Sequence, residues 1–296
     1  MNRQQSLGGG AHWFIPLKGK NVGVETPTYK GITSEVEVGW AFSPTKSKTA
    51  FTLAVVLITL GIIGVVAALT LPVLIQRQQE KEIITGLLKF YSSLQQSYLR
   101  VVEANGTPDT WGITKNSYGN DLLYNLFSPY MKFVKKCEAD EVSTCYKPNT
   151  IYKFLDGTTY FNNSQAYDLP HGVLADGMIV EFEGQNGNCT QVRGQDKHLQ
   201  SVCGAIYVDV NGQKGDNTLG KDMFAFYITK YGIVPLGTEQ ENVVYSGYDH
   251  SFDSSCSVES SKKRYGYGCT AWVIANRNRD YLRCGGLSWS GNRKCE

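Results

Sequence analysis

Residues 51–75 read FTLAVVLITLGIIGVVAALTLPVLI, with no Asp, Glu, Lys, Arg or His among them. At about 1.5 Å of rise per residue, a helix of that length covers the ~30 Å hydrocarbon core of a bilayer. Lys46 and Lys48 precede the run and Arg77 follows it. A stretch with this length and these flanks reads as a membrane helix, and the rest of the fold has to be built around it.

The helical pattern continues past the run. Pro72 kinks a helix, because it lacks the N–H and crowds the preceding turn. Yet Ile84, Leu87, Leu88, Tyr91, Leu94, Tyr98, Val101 and Val102 recur at helical spacing after a polar stretch from Gln76 to Glu82. Asn105-Gly106 gives a stop, with Pro108 just beyond. One helix is expected from about Thr52 to about Glu103, kinked near Pro72. Its first half is apolar all round and its second half is amphipathic.

The opening of the run, Ala50-Phe51-Thr52-Leu53 after a basic polar segment, resembles the prepilin processing site of type IV pilins and type II secretion pseudopilins. Gly64 and Pro72 stand fourteenth and twenty-second from Phe51, where pilins commonly carry Gly and Pro. The resemblance covers residues 46–102. It implies that a prepilin peptidase cuts between Ala50 and Phe51 and methylates the new amino terminus. It also implies an α+β, pilin-like fold: the long kinked N-terminal helix packs its amphipathic half on an antiparallel β-sheet head with disulfides. Residue 55 departs from the pattern. The family normally has Glu at that place, paired with the amino terminus of a neighbouring subunit, and here it is Val55. A carboxylate in lipid drives such pairing because it is costly alone. Val55 points to a minor or tip subunit, or else to a drifted paralogue that assembles weakly.

The chain then divides into a leader over residues 1–50, disordered and removed; a transmembrane and filament-core helix over 51–75; its amphipathic continuation over 76–104; and a head over 105–296. The leader carries six Lys and Arg against three Glu and has no apolar h-region, so it is not an ordinary secretory signal. Its positive charge predicts a cytoplasmic N-terminus in the inner membrane, with the head in the periplasm or beyond. All eight cysteines lie in the head, at 137, 145, 189, 203, 256, 269, 284 and 295. An even number in an exported domain reads as disulfides. The pairing expected is between sequence neighbours: Cys137–Cys145, Cys189–Cys203, Cys256–Cys269 and Cys284–Cys295. No CxxC occurs, which weakens a zinc reading.

Within the head, Leu122 to Phe133 suggests a short helix that stops before Cys137. Strands are expected at 151–155, 178–182, 205–210, 223–229 and 233–236, with Asp-Gly and Asn-Gly turns between them. Residues 270–274 fit either a helix capped by Thr270 or a strand. His171, between Pro170 and Gly172, is expected in a loop.

Two segments of the head are candidates for binding. Residues 209–222 alternate oxygen-bearing side chains with glycines, as calcium loops do, but miss the EF-hand spacing. Some major pseudopilins hold calcium in a late loop. If calcium binds, the ligands expected are Asp209, Asn211, Asp216 and Asp222; the alternative is a tight turn whose Asp and Asn side chains bond the backbone. The C-terminal stretch from Lys262 is basic and interleaved with Tyr and Trp. Arg277, Arg279 and Arg283 are its candidates for binding DNA or an anionic glycan, although the near-neutral mature chain argues against strong DNA steering. Three N-x-[ST] sites, at Asn105, Asn162 and Asn188, match the glycosylation pattern, which a bacterial chain does not normally use.

No nucleophile elbow, zincin helix, P-loop or dinucleotide fingerprint occurs. The expectation is therefore a structural protein and not an enzyme. The resemblance implies a minor pseudopilin of a type II secretion-like system or a type IV pilus. Its partners are other pilin subunits, the prepilin peptidase, the inner membrane and secreted cargo. Packing of the 51–75 helices would use Gly61, Gly64, Ala67 and Ala68 for close approach. The rivals are a single-pass anchored domain that binds a ligand, and a tip pilin that binds DNA or glycan.

Overall fold

The computed structural model describes residues 52–137, 145, 150–162, 171–212, 214–215, 217–241, 244–245, 248–258 and 264–296. The leader, Ala50, Phe51 and Asp216 lie outside the described residues, as do Lys262 and Lys263. Two units divide the chain, Met1–Val56 and Leu57–Glu296.

Helix α1 runs unbroken from Leu53 to Asn105, and Pro72 lies inside it. Thr52 starts it: its Oγ1 accepts a hydrogen bond from Val55 N at 3.4 Å. Fifty-three residues make a helix about 80 Å long. Gly106, at φ +79°, ends it in the left-handed conformation that glycine adopts without strain. Burial along α1 begins only at Ile83. From there Leu87, Phe90, Leu94, Tyr98 and Val101 form one buried stripe.

That stripe packs on a six-stranded antiparallel sheet. Its strands are β1 (Phe133–Cys137), β4 (His171–Leu174), β5 (Ile179–Gly184), β6 (Val202–Asp209), β7 (Met223–Thr229) and β8 (Gly232–Pro235), ordered β1-β4-β5-β6-β7-β8. A hairpin of β2 (Ile151–Lys153) and β3 (Thr159–Asn162) stands as a separate sheet. Side chains alternate faces along a strand. Val180, Phe182, Ile206, Val208, Phe224 and Phe226 accordingly join α1 in one core. Ile179, Ala205, Tyr207, Met223, Ala225 and Tyr227 join Tyr152, Phe154 and Tyr267 in a second core on the other face. Covered on both faces, β6 and β7 are buried along their whole length. Gly86 sets the spacing between helix and sheet, since an added Cβ would fall 2.6 Å from Val210 Cγ1.

The antiparallel sheet and the long helix are as expected, and three local expectations are corrected. The helix expected over 122–133 is α2 (Ser117–Phe127), followed by a 3-10 turn at Ser128–Tyr130. Pro129 lacks the N–H that a continuing helix needs, and the backbone becomes extended at Met131. Phe133 instead begins edge strand β1. His171 is not in a loop: it opens β4, with its backbone register set by Cys137 and Glu181. Residues 270–274 belong to a helix, labelled α3 here (Cys269–Asn276). Thr270 does not cap it; its Oγ1 accepts from Ala225 N at 2.9 Å and ties α3 to β7.

Four disulfides tie the head: Cys137–Cys145, Cys189–Cys203, Cys256–Cys269 and Cys284–Cys295. Each joins cysteines that are neighbours in sequence. Bridges of this density fit an oxidising compartment outside the cytoplasm.

Candidate functional site

The apolar half of α1 is the largest exposed apolar feature among the described residues. None of its most apolar 18-residue window is buried. Leu57, Ile58, Leu60, Ile62 and Ile63 each expose about 60% of their surface. Val55 exposes 43%. A Cβ added at Gly61 or Gly64 would meet nothing within 4 Å, so both glycines offer open backbone to an approaching helix. Isolated exposed apolar side chains are ordinary, but a continuous apolar helix needs lipid or protein around it. By length and composition α1 can cross a membrane.

Where α1 leaves this run it meets the end of the sheet. Gln79, Glu82, Ile83 and Gly86 line a cleft of about 1040 Å³ together with Lys214, Lys221, Asp222 and Arg279. The loop 209–222 forms part of that wall. Its organising group is the buried carboxylate of Asp222. Oδ1 accepts from Thr218 N at 2.5 Å; Oδ2 accepts from Asn217 N at 3.0 Å and from Asn211 Nδ2 at 3.5 Å. Those N–H donors close the turn, with Asn217 in the left-handed region at φ +44°. Asp209 is buried too, and its Oδ2 accepts the Tyr152 hydroxyl at 2.6 Å. Burial pushes the Asp209 carboxyl well above the usual range, against the Tyr152 bond that pulls it down.

Three of the four residues expected to bind calcium, Asp209, Asn211 and Asp222, are described. The Asp222 carboxylate accepts from two backbone N–H groups and from Asn211 Nδ2, the bonding of the tight-turn alternative. Asp209 Oδ1, Asn211 Oδ1 and Asn217 Oδ1 are buried without a hydrogen-bond partner. Among the described residues no group of three His, Cys, Asp or Glu side chains is placed to hold a metal.

The three arginines expected to bind anions are separated by their structural tasks. Arg277 is the left-handed cap of α3, with its N–H on Val273 O at 2.9 Å, and its side chain is exposed. Arg279 Nη1 donates to the Lys221 carbonyl. Arg283 donates to Glu80 Oε2 at 2.7 Å and to Asp280 Oδ1. Tyr281 adds a hydroxyl bond to Gly220 O at 2.6 Å. The segment 279–283 thus fastens the loop 217–222 and the foot of α1. The interleaved aromatics pack inward: Phe252 stacks on Trp272 at 4.0 Å, with Trp289 and Tyr281 around them.

A polar cluster that sequence reading did not find lies on the far face of the sheet. The Tyr227 hydroxyl is 2.5 Å from Glu241 Oε1 and 2.6 Å from His250 Nδ1. Glu241 Oε2 accepts from Gly237 N at 2.7 Å. Arg193, also buried, donates to Gln185 Oε1 and Gln191 Oε1 and lies 5.8 Å over the Tyr227 ring. Burial pushes Glu241 up to about 8 and His250 down to about 3. Tyr227, Glu241, His250 and Arg193 are all buried, so the cluster reads as part of the core.

Residues 73–278, well over half of the chain, match the model of a family described as a family of unknown function, DUF6613. No curated protein and no solved structure matches the chain.

Proposed function

We propose that this chain, which belongs to the family of unknown function DUF6613, is a pilin-like subunit, a minor pseudopilin of a type II secretion-like or type IV pilus filament. The observation that carries the reading is the division of α1. One continuous helix exposes an apolar half and buries the stripe from Ile83 to Val101 in its own head. A helix built this way is held by lipid until another apolar helix replaces the lipid, and the head travels with it. Cleavage between Ala50 and Phe51 by a prepilin peptidase would release the leader. The disulfide-bonded head would face the oxidising side of the inner membrane. The role is mechanical: the subunit is held in the membrane and then drawn into a filament with other pilin subunits. Val55 leaves it unable to neutralise a neighbour's amino terminus, which suits a subunit present once, at the tip, more than one repeated along a shaft.

Photocrosslinking from positions 57, 61 and 64 in cells that assemble the filament tests this. Crosslinks to the apolar helix of another subunit are expected. Crosslinks to lipid alone would leave the rival reading, a single-pass anchor for a ligand-binding head. The cleft of about 1040 Å³ is the feature that favours that rival.

A further inference from the structure

The foot of α1 is ringed by cations from widely separated parts of the chain. The apolar run ends at Ile75. Arg77 and Lys81 follow on α1, and both are exposed. Lys214 and Arg279 line the same cleft as Gln79, Glu82 and Gly86. Residues 77–86 lie roughly 3–17 Å along the helix axis from Ile75, and the basic wall of the cleft stands beside them. Among the described residues, the acids of this region other than Glu82 are already engaged. Glu80 pairs with Arg283 at 2.7 Å, and Asp176 pairs with Lys89 at 2.9 Å. Asp280 accepts from Arg283 and from Cys295 N. Asp222 is buried beneath the N–H groups of Asn217 and Thr218. Glu82 is exposed, and its bond from the Gln78 amide leaves its charge in place. Among the described residues, Arg77, Lys81, Lys214 and Arg279 therefore stand against Glu82, and the surplus at the foot is positive.

A bilayer crossed by α1 brings its headgroup layer to this level. The field of an anionic leaflet decays within a Debye length, about 8 Å at physiological salt, so only charges near the foot feel it. We propose that this basic collar docks on the anionic phospholipid headgroups of the membrane that α1 crosses, and holds the head down on the bilayer before the subunit is drawn into a filament. The inference rests on the membrane-spanning reading of α1. It adds a second, electrostatic contact that is reversible where the apolar one is not. It also makes extraction of the subunit sensitive to lipid composition.

The test uses the full chain in nanodiscs of phosphatidylcholine with or without phosphatidylglycerol. The readout is amide hydrogen exchange over residues 79–86 and 209–222. Exchange should slow several-fold in the anionic discs, and the difference should vanish at high salt. The triple variant R77E, K81E and K214E changes exposed side chains only, so its thermal midpoint should match the parent. Docking should weaken roughly fivefold for each cation removed, so the variant should exchange alike in both discs. Equal exchange of the parent in the two discs, with the chain inserted, would overturn the proposal. Insertion is read separately by flotation after an alkaline carbonate wash. A chain that washes off would remove the spanning reading itself and the proposal with it, an outcome distinct from an inserted chain indifferent to charge.

Discussion

Glu80 Oε2 and Arg283 Nη1 lie 2.7 Å apart, joining the foot of α1 to a residue 203 positions later in the chain. Arg283 is adjacent to Cys284, and Asp280 accepts both Arg283 and the backbone N–H of Cys295. The C-terminal disulfide, the loop 217–222 and α1 are thereby linked through one short segment.

The strength of that link is set by exposure. Arg283 shows 56% of its side chain to solvent, and pairs of this kind contribute up to about 1 kcal/mol. Glu80→Ala and Arg283→Ala should each lower stability by less than about 1 kcal/mol. The double variant should lose little more than either single one, by chemical denaturation at low salt. A loss several times larger would mean that the segment is held by this pair and not by Tyr281 and the disulfide.

The two halves of α1 should respond oppositely to truncation. Leu94 is fully buried among α1 and the sheet, so Leu94→Ala should cost about 2–5 kcal/mol. Val65 exposes 64% of its surface, so Val65→Ala should change the stability of the head by less than about 0.5 kcal/mol. Denaturation of the detergent-solubilised chain, followed by the near-ultraviolet signal of the head, measures both. A large effect of Val65→Ala on the head would show that the apolar half has contacts within its own chain.

The Tyr227 cluster predicts a particular pH profile. Glu241 Oε1 and His250 Nδ1 are 3.7 Å apart. With Glu241 raised to about 8 and His250 lowered to about 3, both are neutral between those values and form no ion pair. For Glu241, raised above its ordinary value of 4.5, the stabilising contribution is complete below that value and is lost as pH rises towards 8. For His250, depressed from 6.5, the contribution is complete above that value and is lost as pH falls towards 3. Together they give a plateau between 4.5 and 6.5 with falling stability on each side. Thermal midpoints across pH should show it, and Glu241→Gln should flatten the fall between 6.5 and 8. A parent chain that gains stability over that alkaline window would contradict the assignment.

The loop 209–222 should depend on Asp222 and not on calcium. Removing the carboxylate strands the N–H groups of Asn217 and Thr218, at about 1–3 kcal/mol for each buried donor left unsatisfied. Asp222→Ala should therefore lower the thermal midpoint clearly, while exchanging calcium for a chelator should leave the parent's midpoint unchanged. A midpoint that rises by several degrees with calcium would return the loop to the ion.

Sequence was most informative where structure is local. The apolar run, the helical stripe from Ile84 to Val102 and the turn-bounded strands of the sheet each rest on neighbours a few residues apart, and each is in the fold. Strand β1 was missed because Leu122, Leu126 and Phe127 look like a helix that could run on; the signal against it was Pro129, a residue that stops helices. Strand β4 was missed because four residues between Pro170 and a turn carry too little pattern to read. The assignments that needed partners distant in sequence were illegible. Glu241 and His250 meet Tyr227 across 14 and 23 residues, and no periodicity links them. The Arg277, Arg279 and Arg283 group looked like a basic patch because nothing in the sequence shows that Arg283 reaches Glu80 or that Arg279 reaches the Lys221 carbonyl.

Processing as a filament subunit is tested most directly by the N-terminal mass of the chain after co-expression with a prepilin peptidase. The expected mature chain begins at N-methylated Phe51, with the leader gone despite Ala50 and Val55. A chain that keeps residues 1–50 under those conditions would contradict it and leave a membrane-anchored, disulfide-bonded head.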